Sequence, residues 1–324
     1  MTAVIYGLGP LERWIADDEV TEIMVNAGTE VWIERSSTQA GNAGPQYVGR
    51  LEPGVVGAVI ERILAPAGRR LDRSSPIVDT RLPDGSRLCA VLPPVAVDGP
   101  CLSLRRFAPT PIELERFACA DVCALIRQAI SGRCNILVSG ATSSGKTTLL
   151  NAIAGLVDHG TRLITLEDTA ELRLAAPHVL RLEARPSSAD GVPEVDLAAL
   201  LRTALRLRPD RLVVGEIRGD EAVDLVQAMN TGHDGSLSTI HANSAIDALA
   251  RLESLVVRAS PAWSLLAVRE QVRRSIDVVV QVSRSDGRRR ITTVAEVGAA
   301  DDSVAVHVLA DRDTVMGDLT RCRT

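Results

Sequence analysis

The chain has 324 residues and a net charge of −5, with 46% hydrophobic and 24% charged residues. That length suits two domains, and the acidic balance argues against bulk attraction to nucleic acid while leaving room for a local basic groove. No run of about 18 apolar residues occurs, which excludes a transmembrane helix, and the N-terminus lacks the basic-then-apolar pattern of a secretory signal. With only three Trp, two Tyr and two Phe, the cores have to be built from Ala, Val, Leu and Ile. The six cysteines (Cys89, Cys101, Cys119, Cys123, Cys134 and Cys322) form no C-x-x-C pair. They read as reduced, mostly core residues of a cytoplasmic protein, because Cys119 and Cys123 could share a helix face but lack further metal ligands.

In chain order, residues 1–108 read as a small α+β domain. Pro10 to Ala16 has the pattern of a short amphipathic helix. Two alternating runs, Thr21 to Val25 and Glu30 to Glu34, flank Asn26-Ala27-Gly28 and predict a hairpin. Ser36 to Pro45 reads as a flexible loop, and Val55 to Leu64 has helical spacing. A second hairpin runs from Ile77 to Leu82 and back from Ser86 to Leu92 around Pro83-Asp84-Gly85, and Leu102 to Phe107 is one more strand. Ala108-Pro109-Thr110-Pro111 opens a stiff linker, placed at 109–114.

From there the pattern alternates strand and helix, the signature of a doubly wound α/β domain with a parallel sheet, expected over 115–298. Strands are expected at Asn135–Ser139, Arg162–Leu166, Val179–Leu182, Arg211–Gly215 and Ser236–Ile240, with Asp277–Val282 near the edge. Helices are expected at Leu197–Leu207, Asp220–Asn230 and Ala245–Leu255, and the tail, 299–324, reads as irregular.

The domain is organised around Gly140-Ala141-Thr142-Ser143-Ser144-Gly145-Lys146-Thr147, which has the phosphate-loop spacing G-x-x-x-x-G-K-[ST]. An apolar strand precedes it and a helical pattern follows from Thr147 and Thr148, the context the motif needs. The glycines let the backbone turn and approach phosphate oxygens, whose charge the loop N–H groups and the helix N-terminus would meet. Lys146 would reach the β- and γ-phosphates of ATP, and the Thr147 hydroxyl would sit on Mg²⁺. Composition adds an independent argument: of 36 basic residues a single one is lysine, Lys146. Where every other basic position is Arg, retention of a compact ammonium here points to its use.

Three further segments place polar groups at strand ends, where such a sheet gathers its ligand. The first ends in Glu167-Asp168, which suits Mg²⁺ or an attacking water, or alternatively a helix cap. The second delivers Gly215-Glu216-Ile217-Arg218. Gly215 stands where nucleotide hydrolases usually carry Asp, so Glu216 would orient or deprotonate water. Mg²⁺ would then be shared by Thr147, Glu167 and Glu216, partly through water. The third carries His233 and His241 on either side of a short strand. A metal site there lacks a third ligand nearby, a core histidine is the bland alternative, and His241 at a strand end suits a sensor of nucleotide state.

These segments, GATSSGKTT, LITLEDTAEL, LRLRPDRLVVGEIRG and MNTGHDGSLSTIHANS, occur in the order seen in type II/type IV secretion ATPases, which the chain resembles over about residues 7–297. The last two, with GLGPLERWIADDEVTEIMVN, LPDGSRLCAVLPP and LSLRRF, look most like the CpaF-like branch that serves Tad (Flp) pili. The resemblance implies a RecA-like P-loop ATPase domain behind a smaller α+β N-terminal domain, a homohexamer, and ATP with Mg²⁺ bound between the domains. It implies catalytic parts for Glu167, Glu216, Lys146, His233 and His241, and γ-phosphate contacts from Arg105, Arg106, Arg206 and Arg218. It also implies a cytoplasmic motor at the inner membrane, acting on a membrane platform protein of a pilus or secretion apparatus. The Cys quartet of the type II branch is absent, so no zinc module is expected, and with matching residues starting near Gly7 no long N-terminal extension is expected either. The alternatives are a conjugative or type IV secretion ATPase, a DNA-associated RecA-like translocase, and a ring that binds ATP without hydrolysing it. The net charge and the lack of a basic or aromatic strand-binding stretch count against nucleic acid.

Overall fold

In the computed structural model, residues 8–35, 44–65, 71–82, 84–106, 112–187, 192–285, 288–300 and 303–323 are described. The chain divides into two compact units, Met1–Thr110 and Pro111–Thr324. The predicted loop at 36–43, the turn residue Pro83 and the proline-rich segment 107–111 lie outside the described residues.

The first unit is one antiparallel sheet with helical cover. Its strands are β1 (Val20–Asn26), β2 (Glu30–Arg35), β3 (Gln46–Arg50), β4 (Ile77–Arg81), β5 (Arg87–Val91) and β6 (Cys101–Arg105). They lie in the order β3-β2-β1-β6-β5-β4. Both predicted hairpins form, the first pairing Asn26 with Glu30 and the second Arg81 with Arg87. The helix α1 (Glu12–Ile15) is preceded by a single 3-10 turn, and α2 is Val55–Leu64. Val56, Val59, Ile60 and Ile63 recur at helical spacing and are buried with Ile23, Val25, Leu88 and Leu104 of the sheet.

The second unit is a nine-stranded sheet with helices on both faces. It contains α3 (Ala120–Ser131), β7 (Ile136–Gly140), α4 (Lys146–Ala154), β8 (Leu163–Glu167), β9 (Val179–Glu183), α5 (Leu197–Ala204), β10 (Arg211–Val214) and α6 (Glu221–Met229). There follow β11 (Leu237–His241), α7 (Ala245–Ala259), α8 (Leu265–Ser275), β12 (Val278–Ser285), β13 (Arg288–Ala300), β14 (Ser303–Asp311) and β15 (Thr314–Val315). The order is β15-β14-β13-β12-β7-β11-β10-β8-β9. Alternate residues of each central strand feed two cores: α3 and α4 pack on one face, α5 to α8 on the other. Asp196, Ser244 and Ser264 cap α5, α7 and α8, each side chain accepting the N–H three residues on.

Two expectations are corrected. The strand near Asp277–Val282 is not an edge: β12 is parallel to β7 and antiparallel to β13, as five consecutive buried residues from Val278 require. The irregular tail expected past Ala299 instead carries the antiparallel strands β14 and β15. The residues that follow are tied down by buried carboxylates. Glu296 accepts from the backbone N–H of Thr320 and Arg321 at 2.8 and 2.6 Å. Asp277, 1% exposed, lies 3.0 Å from the Arg321 guanidinium and 2.6 Å from that of Arg323. It also accepts the Asn135 N–H at 2.8 Å, so one carboxylate joins the tail to the root of β7. Removing a buried carboxylate from two arginines leaves their charge uncompensated. Asp277→Ala should therefore lose about 3–5 kcal/mol of stability in urea unfolding, whereas a loss below about 1 kcal/mol would mean the tail is held by its apolar contacts alone.

Candidate active site

In the second unit the carboxyl ends of the parallel strands converge. His241 is in register with Gly140, and Val214 with both Ser238 and Leu166. The three polar segments predicted from sequence therefore emerge beside the phosphate loop. Past β10 the chain is held in line, because Gly215 N–H donates to Leu166 O at 2.8 Å and Ile217 N–H to Thr239 O at 2.8 Å.

The loop from Gly140 turns into α4 at Gly145, which caps the helix at φ +100°, a left-handed conformation that a side chain would strain. Lys146, the first residue of α4, is only 6% exposed. Its Nζ donates to the Ala141 carbonyl at 3.0 Å and to His241 Nδ1 at 3.0 Å. An ammonium can only donate, so Nδ1 accepts and the ring proton belongs on Nε2. That atom lies 2.7 Å from Glu216 Oε1, and the other carboxylate oxygen accepts from Arg218 at 2.5 Å. The Arg218 guanidinium also reaches to 3.8 Å of Asp168. Burial first, and then the neighbouring cations beginning with Lys146, hold the His241 imidazole below its ordinary value and outweigh the pull of Glu216.

Glu167 ends β8, buried beneath this line. Its Oε1 accepts the N–H groups of Glu171 and Leu172, both at 2.9 Å, so it shapes the following loop. Burial pushes its carboxyl up to about 7, against the opposing effect of those two N–H donors. The structure also explains Gly215: a Cβ there would stand 2.8 Å from Glu167 Cγ. The Asp expected at that position is excluded because Glu167 fills its space.

Whether a nucleotide and Mg²⁺ suit the site rests on the groups around it. Ser144 Oγ and Glu167 Oε2 are buried without a hydrogen-bond partner. Such atoms in a native fold call for a missing partner, and both lie at the loop and the strand end beside it. With Lys146, Thr147 and the open N–H groups of α4 they suit a phosphate chain and a hydrated Mg²⁺. Among the described residues no group of three or more His, Cys, Asp or Glu is arranged to hold a metal ion by itself.

Not every predicted residue joins this cluster. His233 precedes β11 by four residues, at the opposite end of the sheet from His241, where its Nδ1 lies 3.3 Å from the Ala228 carbonyl. Within this chain it packs on the end of α6, away from Lys146, since a strand carries its two flanks to opposite edges of a sheet. Arg206 is exposed just past α5, which leads into the starting end of β10, so it too lies away from Lys146 of its own chain. In the first unit Arg105 is exposed at the end of β6. Arg106 is engaged locally: its guanidinium donates to the carbonyls of Asp17 and Val20, the latter at 3.1 Å, and lies 3.4 Å from Asp18. Sequence reasoning missed Glu221, whose Oε1 accepts the N–H groups of Arg218 and Gly219 at 2.6 and 2.8 Å and so fixes the turn that presents Glu216. Its signal was present, an acidic residue at the start of a predicted helix.

Comparison with known proteins decides the family. Residues 5–307 match the family model described as type II/IV secretion system protein. The chain belongs to that family. It is 37% identical over 290 residues to the conjugal transfer protein TrbB of Rhizobium radiobacter, covering 87% of this chain and 84% of TrbB. The VirB11 ATPase of the Brucella suis type IV secretion system, solved with sulphate, is 28% identical, with a TM-score of 0.50 over 91% of this chain and 94% of that one. The Legionella pneumophila ATPase DotB, at 22% identity, shares the fold with a TM-score of 0.62, covering 87% of this chain and 78% of DotB. The fold is accordingly that of a secretion ATPase, an N-terminal domain followed by a RecA-like domain. Among the described residues no helix is long and apolar enough to cross a membrane.

The raised Glu167 carboxyl makes a stability prediction. The folded chain keeps a proton that the unfolded chain loses above about 4.5, so this group's contribution is complete below that value and is lost as pH rises through about 7. Between pH 5 and pH 8 the wild type should lose about 3 kcal/mol relative to Glu167→Gln, measured by urea unfolding at both pH values. Parallel pH curves for the two proteins would contradict this environment for Glu167.

Proposed function

We propose that this chain is an ATP hydrolase of the secretion-motor kind, using ATP and Mg²⁺ at the loop of Gly140 to Thr148. The observation that carries the reading is the continuous line from Lys146 through His241 to Glu216. It joins the group that meets phosphate to the group that activates water. Lys146 would leave the Ala141 carbonyl and His241 for the β- and γ-phosphates, and Thr147 would hold the Mg²⁺ that neutralises their charge. Glu216, steadied by Arg218, would orient or deprotonate the attacking water, and His241 would carry the change at Lys146 to Glu216. Glu167 would support Mg²⁺-bound water from below. Positioning and charge neutralisation are what phosphoryl transfer asks of a protein.

Arg105 and Arg206 are both exposed, which would leave them open to a nucleotide held by another copy in a hexameric ring. Arg106 is better suited to bracing the start of β1. The apparatus served is of the conjugal-transfer or type IV secretion kind, as the names of TrbB and VirB11 favour. The Tad-pilus assignment rests on motif likeness alone. In either case the motor would work on the cytoplasmic side of an inner-membrane platform protein.

Phosphate release from purified protein tests the reading. Lys146→Ala and Glu216→Gln should each reduce turnover at least about 100-fold, with Glu216→Gln still binding ATP. Wild-type turnover in either variant would overturn the assignment. Turnover that requires DNA and falls steeply with salt would favour the translocase reading instead.

A further inference from the structure

The loop has a second cation that no motif announced. Arg289 lies near the start of β13, and its Nη1 donates to Thr148 Oγ1 at 3.0 Å. Its stem covers the loop's last glycine: a Cβ on Gly145 would come within 2.5 Å of Arg289 Cδ and 3.1 Å of Nε. Gly145 caps α4 and Thr148 is the third residue of that helix. The guanidinium therefore runs along the first turn of α4, where free N–H groups and the helix dipole favour an anion.

The sheet order gives the direction. β7 carries the loop, with β11 on one side of it and β12 then β13 on the other. Lys146 turns toward His241 on β11, and Arg289 arrives from β13. The two cations thus flank the helix N-terminus from opposite sides. In a phosphate loop the lysine serves the β- and γ-phosphates, while the loop and helix N–H groups serve the α- and β-phosphates. Lys146, His241 and Glu216 mark the γ end, which leaves Arg289 beside the α-phosphate and the nucleoside.

We propose that Arg289 is a nucleotide-binding residue that grips the α-phosphate and ribose end, making a contact common to ADP and ATP. This rests on the reading of the loop as a nucleotide site. Arg289 does not act on the γ-phosphate, so its contribution falls on affinity for both nucleotides. The planar fork suits a phosphate oxygen and Thr148 Oγ1 at once, which a lysine cannot reproduce. The three arginines Arg288, Arg289 and Arg290 are adjacent in sequence, but alternation along a strand turns the middle one to the opposite face from its neighbours.

The experiment is fluorescence titration of the full chain with MANT-ADP and with a MANT-labelled non-hydrolysable ATP analogue, both with Mg²⁺, alongside unfolding without nucleotide. Arg289→Ala should weaken both ligands by the same factor, about 10- to 100-fold, as expected for one charge-assisted hydrogen bond. In turnover assays most of the loss in kcat/KM should fall in KM. Arg289→Lys keeps the charge and most of the stem, and should weaken binding less but in the same direction; it also decides the matter should Arg289→Ala not fold. Arg289→Lys and Arg289→Ala binding MANT-ADP as wild type does, with only stability lowered, would show a structural pin and overturn the proposal. A loss confined to kcat, or to the ATP analogue, would overturn it as well. If the wild type itself fails to bind either ligand, the nucleotide reading falls and this proposal with it.

Discussion

The hydrogen bond from Lys146 to His241 is the contact on which the second unit's polar chemistry depends. It exists because β7 and β11 are parallel neighbours in register, so that His241 closes its strand level with Gly140. It fixes Nδ1 of the imidazole as an acceptor and leaves the ring proton on Nε2, 2.7 Å from Glu216. In the proposed function the ring would connect the cation that meets phosphate to the carboxylate that meets water. That coupling would ask for movement of one lysine side chain and none of the backbone.

Around that contact the fold trades apolar packing for buried charge in a consistent place. Glu167, Glu216, Lys146 and Ser144 are all largely withdrawn from solvent, and Ser144 Oγ and Glu167 Oε2 have no hydrogen-bond partner. Unpaired buried polar atoms are costly, and they persist where function uses them. At the other end of the same strands Asp277, Arg321, Arg323 and Asp234 form one network, with Arg323 joining the tail to Asp234 and Asp277, while the buried Arg211 guanidinium at the start of β10 donates from Nη2 to the Ile130 carbonyl at 3.0 Å and leaves Nε and Nη1 without a partner.

Much of this was legible in the sequence for a local reason. The phosphate loop, Glu216 and His241 each end an apolar run, and strand ends on one edge of a parallel sheet can be placed from spacing alone. What was not legible depends on contacts between distant residues. Gly215 reads as a lost aspartate until Glu167 is seen filling its space. Arg289 reads as one of three arginines in a row until β13 brings it to Gly145. Arg106 reads as the twin of Arg105, yet one binds backbone carbonyls and the other faces solvent. His233 and His241 share one short segment, but the turn at Asp234-Gly235 and the five residues of β11 carry them to opposite ends of the sheet. The tail looked irregular because its partners, Asp277 and Glu296, lie far from it in sequence.

The central claim is that burial, with Lys146 beside it, holds His241 in the neutral form and that phosphate draws Lys146 away. NMR titration of the imidazole tests this directly, since the chain has five histidines and His241→Gln identifies the resonance. His241 should titrate below its ordinary value of 6.5 in the free protein, with the proton on Nε2. Adding MgADP should move that titration upward, and Lys146→Ala should do the same without nucleotide. A His241 that titrates at or above its ordinary value in the free protein, and that responds to neither change, would contradict the account.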